Sequence, residues 1–156
     1  MITVEDLRVA SLRLRDAMEA EADALNTADG ALGDGDLGVT MRRGSRAMAE
    51  KSSNLPEDFG MALMLCAQAF TKVSASSYGT LLATGLMAAA KETKGREGIQ
   101  ASELAALLDV ARDKMMIRGK AKLGGKTVLD SLDAIARAMD ADPTAETALK
   151  AAETAQ

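Results

Sequence analysis

Leu25-Asn26-Thr27-Ala28-Asp29-Gly30-Ala31-Leu32-Gly33-Asp34-Gly35-Asp36-Leu37-Gly38-Val39-Thr40-Met41 is the stretch around which the rest of this 156-residue chain is arranged. It interleaves three carboxylates, Asp29, Asp34 and Asp36, with four glycines, Gly30, Gly33, Gly35 and Gly38. Glycine opens backbone conformations closed to other residues, so residues 26–38 read as a tight loop between two helices. Three negative side chains crowded into such a loop repel one another unless a cation sits among them. Hard oxygen ligands with no His or Cys beside them suit Mg²⁺ or Ca²⁺ far better than zinc or copper.

Outward from this loop the pattern is helical in both directions. Upstream, Thr3 caps a first helix with Asp6 in a capping-box position, and Leu7, Ala10, Leu14, Ala17, Met18 and Leu25 share one face. Downstream, a second helix begins near Gly38 and runs through Met41 and Met48 to about Lys51. Pro56 is expected in the first turn of helix three, whose apolar stripe is Phe59, Leu63, Cys66, Phe70 and Val73. Residues 74–80 break that stripe, with Ser74 and Thr80 as expected caps. Helix four follows through Leu82 and Leu86 to about Thr93. After a polar turn at 94–100, Ser102 is expected to cap helix five (Leu104, Leu108, Ala111, Met115). A second glycine-rich loop, 118–127, leads to helix six (Val128, Leu132, Ile135, Met139). Asp142 and Pro143 are expected as cap and first residue of helix seven, which runs to Gln156. No strand-like alternation and no sustained heptad repeat occur. The expectation is one domain, residues 1–156, an all-α bundle of about seven amphipathic helices.

Composition narrows the chemistry. Apolar residues make up 47% of the chain and aromatics only 2%, so the core must come from Leu, Ala, Met, Ile and Val, a palette for closely packed helices. A net charge of −4 argues against a nucleic-acid surface. No apolar run is long enough for a bilayer and no signal peptide opens the chain. The single cysteine, Cys66, excludes an internal disulfide and fits a reducing cytoplasm; its place on the helix-three stripe makes it an inert buried thiol. There is no histidine at all. That removes the commonest general base, the commonest zinc ligand and every Ser-His or Cys-His nucleophile pair.

Three loops break the helical grammar, 26–38, 74–80 and 118–127, and each feeds a helix N-terminus, where free N–H groups and the macrodipole favour anions. A carboxylate loop for a divalent cation beside helix ends for phosphate is a way to hold a nucleotide di- or triphosphate. The bland alternative is that Asp and Gly are common turn formers and the loop is merely solvated. Gly125-Lys126-Thr127 resembles the end of a P-loop, but Lys120 stands where glycine is required and no strand precedes it. Counted as an EF-hand from Asp34, the loop has Val39 where glycine is needed and Ser45 where glutamate is needed. Lys126 and Arg118 read as surface charges, and the methionines as core filler.

Together these motifs resemble the nucleotide-binding L subunit of the bacterial dihydroxyacetone kinases, the family that shares the ATP-binding domain of the single-chain kinases. The resemblance rests on Leu25-Asn26, Asp29, Gly33-Asp34-Gly35-Asp36 with Gly38, and Met41-x-Arg43-Gly44. Ser74, Tyr78-Gly79-Thr80, Arg118-Gly119-Lys120-Ala121, Gly124 and Lys126-Thr127 reinforce it. It implies an antiparallel helical barrel, eight helices in the family, with the nucleotide at one end. It further implies that Asp29, Asp34 and Asp36 hold two Mg²⁺ ions against the phosphates of ADP or ATP. Leu37, Gly38, Val39 and Thr40 would contact phosphate and ribose, with Ser74 and Gly119 nearby and Val128 against the adenine. The keto-sugar acceptor would sit on a separate K subunit, and a phosphoenolpyruvate-dependent subunit could recharge the nucleotide; a second copy of the chain is a further candidate partner.

Some positions depart from the family pattern. Leu37 stands where the family usually has His, residues 71–76 replace a Gly-Gly-Ala-Ser-Gly-Pro run, and Gly125 replaces Asp. The family's C-terminal lid, an Arg-Lys-Gly-Arg segment and a late Asp-Pro-Gly loop, has no counterpart, so the chain is expected to be incomplete or a shortened member. A non-catalytic binding module and a fatty-acid-kinase-like domain stand as the alternative functions.

Overall fold

Long amphipathic helices joined by short connections must run up and down, each packing on the next. The computed structural model, in which residues 1–74 and 76–155 are described, has this arrangement. Seven α-helices occur among the described residues: α1 (Val4–Gly30), α2 (Leu37–Lys51), α3 (Phe59–Val73), α4 (Ser77–Glu92), α5 (Leu104–Gly119), α6 (Val128–Ala141) and α7 (Ala145–Thr154). Each packs against its successor in sequence. The topology has one consequence that matters for function. Connections α1–α2, α3–α4 and α5–α6 fall at one end of the array, and these are the three glycine-bearing loops singled out above. The other three connections fall at the opposite end.

The all-helical expectation holds with one small exception. Ile2–Thr3 (β1) pairs antiparallel with Gly98–Ile99 (β2), two residues each, too short to leave any alternation in the sequence. This pair ties the start of α1 to the segment before α5. Asp58 makes a second clasp at the same end, its Oδ1 accepting from the Met61 N–H at 2.8 Å and its Oδ2 from the Gly95 N–H at 2.7 Å.

Several expected boundaries are corrected. Helix α1 extends to Gly30, so Asn26 and Asp29 are helical, not part of a loop. Helix α3 starts at Phe59 with Asp58 as its cap, which leaves Pro56 outside. Helix α4 is capped by Ser76, whose Oγ accepts from the Gly79 N–H at 3.0 Å, not by Ser74 or Thr80. Helix α5 follows a single 3₁₀ turn, Ala101–Glu103, in which Glu103 rather than Ser102 accepts the Gln100 N–H at 2.7 Å. Helix α7 is capped by Thr144, with Asp142 accepting the hydroxyl proton of Thr147, so Pro143 is not its first residue. Gln156, expected at the end of this helix, lies outside the described residues.

The core is built as composition requires. Val4, Met48, Leu55, Phe59, Leu63, Cys66, Phe70 and Ile99 are buried together, and both phenylalanines of the chain are among them. On α1 the buried face is Val4, Ser11 and Ala22, with Leu7 and Leu14 packed on the core, whereas Ala10 and Ala17 point to solvent. Val73, the last residue of the α3 stripe, is 42% exposed because the helix ends there. Burial pushes the Cys66 thiol up, consistent with an unreactive core residue. Inside the array lies an apolar cavity of about 310 Å³, lined by Leu7, Leu63, Leu86, Leu108, Met115 and Leu132 among others.

A polar network joins α5 to α6. Arg112 Nη1 meets Asp133 Oδ1 at 2.5 Å with only 16% and 14% of the two side chains exposed, and Asp109 shares the same guanidinium at 2.6 Å. Replacing Arg112 by Met is expected to cost about 1–3 kcal/mol, between the value of exposed pairs and that of fully buried ones. Urea unfolding followed by circular dichroism measures it; an unchanged midpoint would mean the network contributes nothing.

Candidate functional site

The α1–α2 connection carries the acidic residues and is held by hydrogen bonds from α1 to the start of α2. Asp29, on the last turn of α1, accepts from the Asp36 N–H at 3.0 Å and the Leu37 N–H at 3.3 Å through Oδ2. Asn26, one turn earlier, accepts from the Val39 N–H at 3.2 Å. Gly38 is what lets the helices close to this distance: a Cβ there would lie 1.8 Å from the Ala22 carbonyl oxygen. Gly33 makes room in the same way, since its Cβ would lie 2.7 Å from Asp29 Oδ1.

This bracing brings the three acids together. Asp29, Asp34 and Asp36 each offer an oxygen within 4.8 Å of the others; Asp29 is half-buried and the other two are exposed. No described cation neutralises them. Lost hydration within the loop raises the Asp36 pKa above the ordinary aspartate value of 3.8, and the charges of Asp34 and Asp29 raise it further. The sign follows directly. In the metal-free protein Asp36 favours the folded state below pH 3.8, and this contribution is lost as pH rises through its raised pKa. A cation competes with that proton, so Mn²⁺ affinity is expected to weaken on acidification from above the ordinary aspartate range. Titrating Mn²⁺ across pH 4–7 in wild type and Asp36→Asn checks this; superimposable pH profiles would contradict it.

The acids form one wall of a cavity of about 630 Å³, which also has Leu37, Val39, Thr40 and Arg43 of α2 and Val73, Ser74, Ser76, Ser77 and Tyr78 at the α3–α4 connection. Ser74 is 6% exposed, and its Oγ is the one buried side-chain polar atom among the described residues without a hydrogen-bond partner. It is pressed against the start of α4, where a Cβ on Gly79 would lie 2.0 Å from it. Such an orphan costs about 1–3 kcal/mol unless something arrives to satisfy it.

The three helix N-termini at this end are not equivalent. At α2, Asp29 and Asn26 already take the N–H groups of Leu37 and Val39, and Gly38 is buried against α1. At α6, Asp130 accepts from the Gly124 and Thr127 N–H groups at 2.5 and 2.8 Å, and the Thr127 hydroxyl takes the Leu129 N–H. Those backbone amides hold Asp130 below the ordinary carboxylate range. At α4 the Ser76 side chain takes only the Gly79 N–H, and its carbonyl the Thr80 N–H. The N–H groups of Ser77 and Tyr78 make no hydrogen bond within the described residues, two consecutive open amides against one each at α2 (Gly38) and α6 (Val128), so α4 presents the widest anion seat of the three.

Of the residues expected from sequence, the acids, Leu37, Val39, Thr40 and Ser74 line one cavity. Gly119 lies in an adjoining cavity with Arg118, Ser77, Thr80 and Leu81, and Ser77 borders both. Val128, the first residue of α6, lines neither. Arg43, Ser77 and Tyr78 were not expected as lining. The spacing of Arg43 from Thr40 on α2 and from Asp36 at its cap, three and seven residues, was the available signal.

The sequence pattern of the DAK2 domain matches residues 31–156. The chain belongs to the DAK2-domain family. Among its relatives, this DAK2 domain is 29% identical over 119 residues to the Escherichia coli protein named PEP-dependent dihydroxyacetone kinase, ADP-binding subunit DhaL, covering 76% of this chain and 57% of that protein. It is 34% identical to human triokinase/FMN cyclase, covering 75% of this chain and 20% of that one. The L-erythrulose kinase of Pectobacterium atrosepticum is 30% identical, with 76% and 20% covered. The DAK2 domain thus spans little more than half of the first relative and a fifth of the others. Its fold superimposes on the dihydroxyacetone kinase of C. freundii crystallised with AMP-PNP and Mg²⁺, at TM-score 0.78 and 25% identity over 97% of this chain and 27% of that one. The native form of that kinase gives 0.81 over 96% and 28%.

Proposed function

We propose that residues 1–156 act as one nucleotide-binding unit of a kinase, holding ADP or ATP with two Mg²⁺ ions at the end of the array where the three glycine-bearing loops meet. The observation that carries this reading is a single cavity with three converging carboxylates on one wall and, on another, a buried unpartnered serine hydroxyl beside an open helix N-terminus. The donor set fits magnesium: hard oxygens only, too few for a complete protein cage, leaving positions for phosphate and water. When bound, the metal supplies charge neutralisation and alignment of the phosphates.

The chain's own residues do the positioning. Asp29 spends one oxygen on the α2 backbone and so fixes the loop that carries Asp34 and Asp36. The N–H groups of Ser77 and Tyr78, unpaired among the described residues, and the Ser74 hydroxyl would hold phosphate oxygens. The adjoining cavity at Gly119 and Arg118, reached past Ser77, gives the rest of the nucleotide a place to lie. The carboxylates lining the cavity among the described residues are the three assigned to metal, which leaves none over as a base for an alcohol acceptor and supports an acceptor bound elsewhere. A K-type partner subunit bearing dihydroxyacetone or a similar small keto sugar answers to this, with phosphoenolpyruvate-dependent recharging or a homodimer as further arrangements. The place of action is the cytoplasm, where Cys66 stays reduced; no described helix is long and apolar enough to cross a membrane.

Calorimetry with ADP in the presence of Mg²⁺ or of EDTA tests the reading. Uptake that requires the metal supports it, and no uptake in either condition removes it. Phosphoryl transfer to dihydroxyacetone after mixing with a K-type subunit and ATP tests the acceptor.

A further inference from the structure

Arg43 is an exposed guanidinium in a cavity whose other ionisable wall is three carboxylates. It lies on α2 two turns from Asp36, on the same face as Thr40, which also lines the cavity. Arg46, one turn further along the same helix, is by contrast paired with Glu19 of α1. Arg43 makes no hydrogen bond or ion pair within the described residues. Arg43 thus lines the cavity with its charge uncommitted, open to an anion lying between the acids and the α4 N-terminus.

We propose that Arg43 is a phosphate-binding residue of this site, gripping oxygens of the metal-bound polyphosphate from the α2 side while the start of α4 holds it from the other. This rests on the nucleotide reading above. The planar fork of arginine engages two phosphate oxygens at once, a geometry lysine does not reproduce.

The assignment makes metal and nucleotide respond in opposite directions. Arg43→Met removes a positive charge from beside three carboxylates, so Mn²⁺ alone, followed by paramagnetic relaxation of water, is held as tightly as in wild type or tighter. Mg·ADP, followed by calorimetry, is expected to bind at least tenfold more weakly, with partial recovery in Arg43→Lys. Mg·ADP affinity within twofold of wild type overturns the proposal. So does a parallel loss of Mn²⁺ and Mg·ADP, which would make Arg43 a support for the acidic loop. Wild-type protein that takes up Mn²⁺ but no Mg·ADP sinks the nucleotide reading itself, and Arg43 with it.

Discussion

Asp34→Ala is expected to abolish metal-dependent nucleotide binding while leaving the helical circular dichroism of the chain unchanged. The loss should be at least about a hundredfold, the upper end of what removal of a mere supporting contact costs a metal site. Asp34 carries no part of the fold. It is exposed, and the loop it sits in is braced by Asp29 and Asn26 instead. The same substitution removes one of three like charges, so the metal-free variant should melt at the wild-type temperature or slightly above it. Sites that hold a ligand through crowded charges give up stability to do so, and relieving the crowding restores it. A melting temperature that rises on adding Mg²⁺ to wild type but not to the variant would show both effects in one experiment. If the variant bound Mg·ADP as wild type does, the acids would have no role in binding.

Gly38→Ala is expected to have the largest effect on stability. Its new Cβ would lie 1.8 Å from the Ala22 carbonyl oxygen, 2.7 Å from Ala22 C and 2.7 Å from Asn26 Oδ1. Two of these are backbone atoms of α1, so relief requires the helices to part. The cost is about 3 kcal/mol, the top of the usual overpacking range, in a domain whose total stability is of order 5–15 kcal/mol. For a chain of this length that lowers the melting temperature by roughly 6–12 °C. Parting the helices also breaks the Asn26 and Asp29 caps of α2, so nucleotide affinity should fall with it. A variant as stable as wild type would mean that α1 and α2 do not approach this closely.

Much of this architecture could be read from residue patterns alone. Apolar spacing gave the helices, and glycine gave the three loops that up-and-down packing gathers at one end. What escaped was decided by partners distant in sequence. Asp58 outranks Pro56 as the start of α3 because its second oxygen meets the Gly95 amide, 37 residues away. Asn26 and Asp29 look like loop residues, yet they finish α1 and cap α2. Ile2–Thr3 and Gly98–Ile99 are too short for any periodic signal.

The site was legible to a similar degree. The Asp29, Asp34 and Asp36 cluster stood out because acids interleaved with glycine are costly without a purpose. The ranking of the three helix ends did not, because it depends on which amides are already taken. One part of that was recoverable: Thr127-x-x-Asp130 is a capping box in plain sequence, and it closes the α6 terminus that the glycine-rich loop seemed to open. Whether Ser74 has a partner, by contrast, follows only from the packing of α3 against α4.

The most direct measurement is anomalous scattering from crystals soaked with Mn²⁺ and ADP. The account predicts manganese peaks within coordination distance of the Asp29, Asp34 and Asp36 carboxylates, with phosphate density reaching the start of α4 at Ser77 and Tyr78. Crystals holding ADP elsewhere on the chain, with the three carboxylates bare, would contradict it.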